Sequence, residues 1–219
     1  MHWATIGYIL GILLMVFSSA MLPPLALAWF YGDGGLLAFV DAYILTLGAG
    51  FLLWLPVRRR PREVSHRDGF LLVTLFWVVL ALFGALPLYL SGAAPAFTDA
   101  FFESISGLTT TGATALSGIE ELPHAVRFWR QEMQWLGGMG IIILAVAILP
   151  ILQIGGMQLY KAEVPGPVKD QKLTPRVNET AKALWLIYIG LTVAAALALW
   201  LAGLSVFDAV AHSFTAVAT

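Results

Sequence analysis

The segment ESISGLTTTGATALSG, residues 103–118, places three successive threonines and a glycine inside a chain that is otherwise mostly apolar. Its central residues are Thr109, Thr110, Thr111 and Gly112. Non-helical chain is tolerated within the hydrocarbon layer of a membrane only where protein covers it or where it lines a water-filled cavity. A glycine- and hydroxyl-rich segment among hydrophobic helices therefore predicts a functional element.

The composition predicts an integral membrane protein. Of the 219 residues, 59% are hydrophobic and 11% are charged, and the mean hydropathy is +0.84. These values lie far from those of a soluble domain. The net charge of −1 provides no basic surface for nucleic acid, and the absence of cysteine excludes disulfides and thiolate metal sites. We expect a lipid bilayer around the chain and no nucleic-acid partner.

Five apolar runs are long enough to cross about 30 Å of hydrocarbon as helices. They lie at 3–30, 35–57, 69–90, 135–154 and 183–204. The first should be retained rather than cleaved as a signal peptide, because no Lys or Arg precedes it and its apolar run is too long. We expect a bend in this span at Pro23–Pro24. Four tryptophans near span ends are expected in the interfacial belts: Trp3, Trp54, Trp129 and Trp135.

The basic residues favour one orientation of the chain. Most of them follow spans two and four: Arg58, Arg59, Arg60, Arg62, Arg67, Lys161, Lys169, Lys172, Arg176 and Lys182. The other loops are mainly acidic, with only Arg127 and Arg130 as basic residues. The positive-inside rule then predicts a multi-pass protein whose basic loops and N-terminus are cytoplasmic. Thr174–Pro175 is typical of a helix start, so span five should begin below the membrane.

Residues 97–108 form a second apolar piece between spans three and four, and this piece is too short to cross as a helix. Because it begins and ends on the outer side, we predict a re-entrant half-helix followed by a non-helical return. The partially negative end of the half-helix would favour a cation, and carbonyl oxygens of the return can replace the hydration shell of a monovalent ion. The alternative is a continuous helix through 97–120 whose Ser and Thr side chains bond its own backbone.

A weak internal repeat supports the half-helix. The matched residues are Asp99–Ala100 with Asp208–Ala209, Ser104 with Ser213, and Thr110 with Thr219. Ser205 and Asp208 have the spacing of a capping box, which predicts a second half-helix over 207–218. Because both pieces follow equivalent spans, they indicate a duplicated helix–half-helix–helix repeat.

Three long stretches carry a resemblance to a known family: SISGLTTTGAT, WLGGMGIIILAVAILPILQIGGMQLYKAE and ETAKALWLIYIGLTVAAALALW. Together they closely resemble the TrkH/TrkG/KtrB superfamily of potassium uptake proteins, most specifically from about residue 70 to 219. The resemblance implies an all-α integral membrane fold, in which two N-terminal spans precede one complete helix–pore-loop–helix repeat and a truncated second one. The implied segments are an N-terminal pair of helices with its loop, the first repeat, a cytoplasmic linker and the start of the second repeat: 1–68, 69–156, 157–182 and 183–219.

The resemblance also implies a function. The chain would belong to the pore-forming subunit of a Trk- or Ktr-type potassium uptake system in the bacterial inner membrane, and it would not be an enzyme. Thr109, Thr110, Thr111 and Gly112 match the first filter of the family, and Thr219 matches the start of the second, with K⁺ at Thr110, Thr111 and Thr219. Family members form homodimers with a cytosolic nucleotide-binding regulatory subunit of the TrkA/KtrA type. Members carry four repeats, so these residues alone would not complete a pore.

Two other functions are considered. Ser106 and His212 could form the Ser–His pair of an intramembrane serine protease. The repeat argues against this pair, because it aligns His212 with Glu103 and Ser106 with Thr215. A non-conducting assembly subunit would differ only in lacking ion flux. The glycine run 137–140 lacks the lysine of a phosphate loop, and we expect it to permit close helix packing.

Overall fold

The computed structural model describes residues 3–58, 66–152 and 174–218, and within them the chain is helical apart from short connections, with no strand. Among the described residues, four helical stretches are long and apolar enough to cross a membrane: Trp3–Tyr31, Leu36–Trp54, Asp68–Leu90 and Glu179–Leu201. The predicted all-helical membrane fold is therefore confirmed. The chain divides into two compact bodies, an N-terminal body of residues 1–134 and a C-terminal body of residues 135–219.

The described residues of the N-terminal body form five α-helices, a short 3-10 helix at Ile119–Glu121 and the beginning of a sixth α-helix. The α-helices are α1 (Trp3–Ser19), α2 (Leu22–Tyr31), α3 (Leu36–Trp54), α4 (His66–Leu90), α5 (Phe97–Leu108) and the start of α6 (His124–Leu152). The described helices of the C-terminal body are the rest of α6, α7 (Thr174–Leu201) and α8 (Val206–Ala218). Helix α7 begins at Thr174, as predicted. Helix α6 begins at His124, well before the predicted start of span four, while residues 153 and 154 lie outside the described part of the chain.

The predicted bend in the first span lies earlier than expected. Helix α1 ends at Ser19 and α2 begins at Leu22, so the interruption is at Ala20–Met21. Pro23 and Pro24 lie in the first turn of α2, where a missing N–H group leaves no helical bond unmade. The prolines therefore start a new helix rather than kink an existing one, and the prediction of a bend at Pro23–Pro24 was wrong in its position.

Helices α1 and α3 cross at two glycines whose backbones touch. A Cβ atom on Gly11 would lie 2.7 Å from the carbonyl oxygen of Gly50 and 2.8 Å from the backbone nitrogen of Trp54. A Cβ atom on Gly50 would lie 2.8 Å from the carbonyl oxygen of Gly11. Small residues at a crossing let membrane helices gain van der Waals contact that lipid cannot replace. This close approach fixes the point at which α1 and α3 pack against each other.

Substitution at this crossing gives a stability prediction. Gly11→Ala should destabilise the protein by about 2 kcal/mol, because the added methyl group would overlap backbone that cannot rotate away. Gly7→Ala, one turn earlier on α1, is the matched control, since its Cβ would have only the carbonyl oxygen of Leu53 nearby, at 3.9 Å. Thermal unfolding of the detergent-purified variants measures the difference. Equal unfolding temperatures would contradict the crossing.

Trp129 is the centre of the N-terminal body. Its side chain is fully buried, and its Nε1 donates a 2.9 Å hydrogen bond to the carbonyl oxygen of Gly84 on α4. Its ring packs against Phe17 of α1 and Phe39 of α3 at centroid distances of 5.6 and 6.3 Å. The prediction of an interfacial Trp129 was wrong, because α6 begins before this residue and turns it toward the other helices. Trp129 thus ties α1 and α3 to α4 and α6.

In the C-terminal body, the glycine run permits close packing as predicted. A Cβ atom on Gly138 would lie 2.6 Å from the hydroxyl oxygen of Tyr188 and 3.3 Å from the Cα atom of Ala218. The Tyr188 hydroxyl donates to the carbonyl oxygen of Trp135 at 3.0 Å, and Trp135 Nε1 donates to Thr192 Oγ1 at 3.0 Å. These contacts hold α6, α7 and α8 together.

Candidate functional site

Helix α5 is a half-helix with the predicted bounds, Phe97–Leu108. Its 12 residues span about 18 Å, less than the hydrocarbon thickness. The Asp99 carboxylate accepts a 3.3 Å hydrogen bond from the N–H group of Ala96 and so caps the helix start. The helix stops at Leu108, and residues 111–117 are not helical. The alternative of one continuous helix through 97–120 is therefore wrong.

The return segment, defined here as residues 109–116, turns through two left-handed backbone conformations. Thr110 has φ of 57° and Gly112 has φ of 72°. Glycine adopts such angles freely, whereas a β-branched residue with positive φ is a genuine outlier that costs on the order of 1–3 kcal/mol. A Cβ atom on Gly112 would have no neighbour within 4 Å. The requirement for glycine at this position is therefore conformational and not steric.

The N–H groups at the start of the return segment bond back to the end of α5. The bonds are Thr109 to Ile105 (2.9 Å), Thr110 to Gly107 (2.9 Å), Thr111 to Ser106 (2.9 Å) and Gly112 to Ser106 (3.4 Å), each to a carbonyl oxygen. Within the described part of the chain, the carbonyl oxygens of residues 109–112 accept no hydrogen bond. Thr109, Thr111 and Gly112 are exposed. Four successive carbonyl groups are consequently available to a ligand.

The far end of the return segment is held by a buried carboxylate. Glu103 of α5 is 4% exposed, and its Oε2 accepts hydrogen bonds from Thr114 Oγ1 (3.0 Å) and from the N–H group of Ala115 (3.1 Å). Its Oε1 accepts a 2.6 Å bond from Nε of Arg130 and a second bond from Nη2 of the same guanidinium. The ion pair joins α5, α6 and the return segment. Arg130 was assigned to an outer loop from the sequence, so this cluster was missed.

Ser106 has a structural role in the same place. Its side chain is buried, and its hydroxyl donates a 2.6 Å hydrogen bond to the carbonyl oxygen of Ala113. The proton that a serine nucleophile would give to a base is thus directed at a carbonyl group. His212 lies on α8 of the other body and is exposed. The geometry supports the interpretation of Ser106 as part of the support of the return segment.

The residues of the predicted second half-helix are also helical, up to the last residue that the structure describes. Helix α8 runs over Val206–Ala218, and Ser205 Oγ accepts a 3.1 Å hydrogen bond from the N–H group of Asp208, as the capping box predicted. Ala209 and Ser213 are buried, like Ala100 and Ser104 of α5. Thr219 lies outside the described residues, so its assignment to a second filter stays a prediction. The described residues contain no group of three or more His, Cys, Asp or Glu that could hold a metal ion.

Taken together, these features define a multi-pass, all-helical membrane protein in which a short helix, α5, is followed by a non-helical segment. A family model for TrkH, described as a cation transport protein, matches residues 36–219, and the chain belongs to this family. The resemblance identified from the sequence is therefore confirmed.

Relatives of the chain are potassium uptake proteins. It is 57% identical over 219 residues to the Trk system potassium uptake protein TrkH of Salmonella typhimurium, covering 100% of this chain and 45% of that protein. It is 59% identical over 211 residues to TrkH of Halomonas elongata, with 96% and 44% covered. The crystal structure of the potassium transporter TrkH from Vibrio parahaemolyticus matches with a TM-score of 0.84 and 49% identity, covering 98% of this chain and 42% of that one. The chain thus spans less than half the length of these relatives.

Proposed function

We propose that the chain provides the first pore loop of a potassium uptake protein and that the carbonyl oxygens of Thr109 to Gly112 coordinate dehydrated K⁺. The observation that carries this proposal is the run of four carbonyl groups, on exposed or half-exposed residues, that accept no hydrogen bond from the described part of the chain. Rings of such carbonyl groups from several loops replace the hydration shell of a monovalent cation. The C-terminal end of α5, with its partial negative charge, adds to the attraction.

The charges around the return segment favour a monovalent over a divalent ion. Calcium and magnesium sites use carboxylate oxygens as direct ligands. The one carboxylate bonded to the return segment, Glu103, directs both oxygens at Thr114, Ala115 and Arg130. A site built from neutral carbonyl dipoles alone suits a weakly hydrated ion of single charge. The proposal of potassium rather than sodium as the transported ion rests on the names of the relatives, which are a potassium uptake protein and a potassium transporter.

The proposal extends to the organisation of the chain. Residues 1–68 are the leading helix pair, 69–156 the first repeat, 157–182 a cytoplasmic linker and 183–219 the start of a second repeat, with Thr219 in its filter. Equivalent repeats would complete the ring of carbonyl groups around the ion. A homodimer and a cytosolic nucleotide-binding subunit belong to the same proposal, and the linker 157–182 is the segment we propose for contact with that subunit.

Uptake in cells tests the function. The protein expressed from its complete reading frame should restore growth at low external potassium to a bacterium that lacks potassium uptake systems. Rubidium uptake by the same cells gives the flux directly. Growth that requires high potassium, together with normal membrane expression, would contradict transport and would favour a non-conducting assembly subunit.

Single cysteines test the orientation, since the native chain has none to interfere. Arg62→Cys and Lys169→Cys should react with a membrane-impermeant maleimide only from the cytoplasmic side, because they lie in the two basic loops. Glu120→Cys, in the exposed turn before α6, should react only from the outside. Labelling of all three positions from the same side would overturn the topology.

A further inference from the structure

We propose that the Glu103–Arg130 pair of the first repeat is a positioning device that sets cation selectivity. The inference rests on the proposed function of residues 109–112 as a filter. Neither residue would touch the ion. Glu103 and Arg130 would act by fixing the end of the return segment, and through it the direction of the filter carbonyl groups.

Every acceptor position of Glu103 is used. One carboxylate oxygen takes bonds from Thr114 and Ala115 of the return segment, and the other takes two bonds from the Arg130 guanidinium. Arg130 Nη2 also lies 3.3 Å from Thr114 Oγ1, which closes the cluster into a triangle. The carboxylate is therefore a two-sided bridge, with the return segment on one side and α6 on the other.

A contribution to the stability of the fold is a weak explanation for the presence of this ion pair. The side chains of Glu103 and Arg130 are 4% and 12% exposed, so both charges have lost most of their water. A buried ion pair commonly contributes no more to stability than apolar side chains of the same volume, and ionisable residues within membrane segments mark functional sites. The pair instead fixes the orientation of the groups that it binds, because charge-assisted and bidentate hydrogen bonds allow little variation in geometry.

The filter needs support at both ends. Its N-terminal end is fixed by the bonds of its N–H groups to α5, and Thr110 in between holds a strained positive φ. Such strain persists only where the surroundings over-determine the backbone. At the other end, the supports are the bond of Ser106 to Ala113 and the two bonds of Glu103. Without Glu103, Thr114 and Ala115 lose their acceptor, and the strained backbone between the two ends can relax.

The predicted second half-helix carries a different residue at the matching position. The repeat aligns His212 with Glu103, and His212 is exposed on α8. An imidazole cannot provide the two-sided acceptor that the Glu103 carboxylate provides. We therefore expect the first two loops to be supported differently and to contribute unequally to selectivity.

The test is the ratio of potassium to sodium flux in proteoliposomes that contain the complete protein. Glu103→Gln should lower this ratio about tenfold while flux remains measurable, because the amide keeps the shape but offers one acceptor oxygen instead of two. The exchange of both charges, Glu103→Arg with Arg130→Glu, should recover thermal stability but not the ratio, because position 103 then has no acceptor for Ala115. Recovery of the ratio by the exchange would show an ion pair of structural importance only and would overturn the proposal.

Asp33→Asn is the matched control. The Asp33 carboxylate joins two distant parts of the same body, accepting bonds from the N–H group (2.6 Å) and Nδ1 (3.0 Å) of His124, and it makes none with the return segment. It should lower stability and leave the flux ratio unchanged. If Glu103→Gln fails to fold, Arg130→Lys replaces it, since the ammonium keeps the charge but loses the fork, and we expect a ratio about threefold lower. If a folded Glu103→Gln or Arg130→Lys protein keeps the flux ratio of the unmodified protein, the positioning role is wrong. If the unmodified protein itself carries no cation flux, the proposed transport function is wrong instead.

Discussion

Gly112→Ser in the complete protein should reduce potassium uptake far more than Gly118→Ser. Both glycines have positive φ, 72° and 64°, so a side chain costs about 1–2 kcal/mol of local strain at either position. Neither Cβ atom would clash, because Gly112 has no neighbour within 4 Å and Gly118 has only Glu121 Oε2, at 3.7 Å. The two variants are therefore matched in strain and differ in whether the affected carbonyl group belongs to the proposed filter.

The expected loss of selectivity in Gly112→Ser follows from the orientation of the carbonyl ligands. If one misdirected carbonyl group shifts potassium against sodium by about 1.4 kcal/mol, discrimination falls roughly tenfold. Growth of an uptake-deficient bacterium at low potassium, with a sodium challenge, measures this loss at equal expression. Thr111→Ala should be milder, since its carbonyl group stays and only its 2.8 Å hydroxyl contact with Thr109 is lost. Wild-type growth of Gly112→Ser, or equal damage by Gly118→Ser, would show that the filter assignment is wrong.

Thr110→Pro should abolish uptake, whereas Thr110→Gly should retain it. Proline fixes φ near −65°, which is incompatible with the φ of 57° at this position, and it removes the N–H group that bonds Gly107. The combined cost is about 3 kcal/mol or more. The change in backbone angles would also redirect the carbonyl groups of both Thr109 and Thr110. Glycine keeps the bond, the carbonyl group and the positive φ without strain.

Rubidium uptake at low concentration compares the two Thr110 variants, with membrane expression measured beside it. Their contrast separates backbone conformation from the threonine side chain, because both variants lack the hydroxyl group. Equal loss of uptake in the two variants would point to the hydroxyl group as the ion ligand and would contradict coordination by the backbone.

The half-helices could be predicted from the sequence because local features determine them. The apolar piece 97–108 is flanked by polar or small residues, is too short to cross, and has Asp99 at the position that caps its start. The same pattern recurs around Asp208, where the structure has a helix that begins within one residue of the predicted start. In such segments the length of the apolar run and the capping residues indicate the same helix bounds. Tertiary packing therefore does not shift those bounds.

The support of the return segment could not be predicted in this way. Glu103 and Arg130 are far apart in the sequence, and Arg130 was placed in a loop because α6 was expected to begin only at residue 135. Trp129 was assigned to the interface for the same reason. An apolar run shows where a helix enters hydrocarbon and not where it begins, and the polar first turns of α6 carry the residues that reach the site. The positive φ of Thr110 was likewise hidden, since threonine gives no signal for a left-handed conformation.

Heavy monovalent ions test the central claim most directly. Crystals of the complete protein grown with rubidium or thallium in place of potassium would reveal the ions by their anomalous scattering. Coordination by the backbone predicts anomalous density within direct contact distance of carbonyl oxygens in the run from Thr109 to Gly112. Ordered density for the return segment without an ion at these oxygens, and with ions bound at side chains elsewhere, would contradict it.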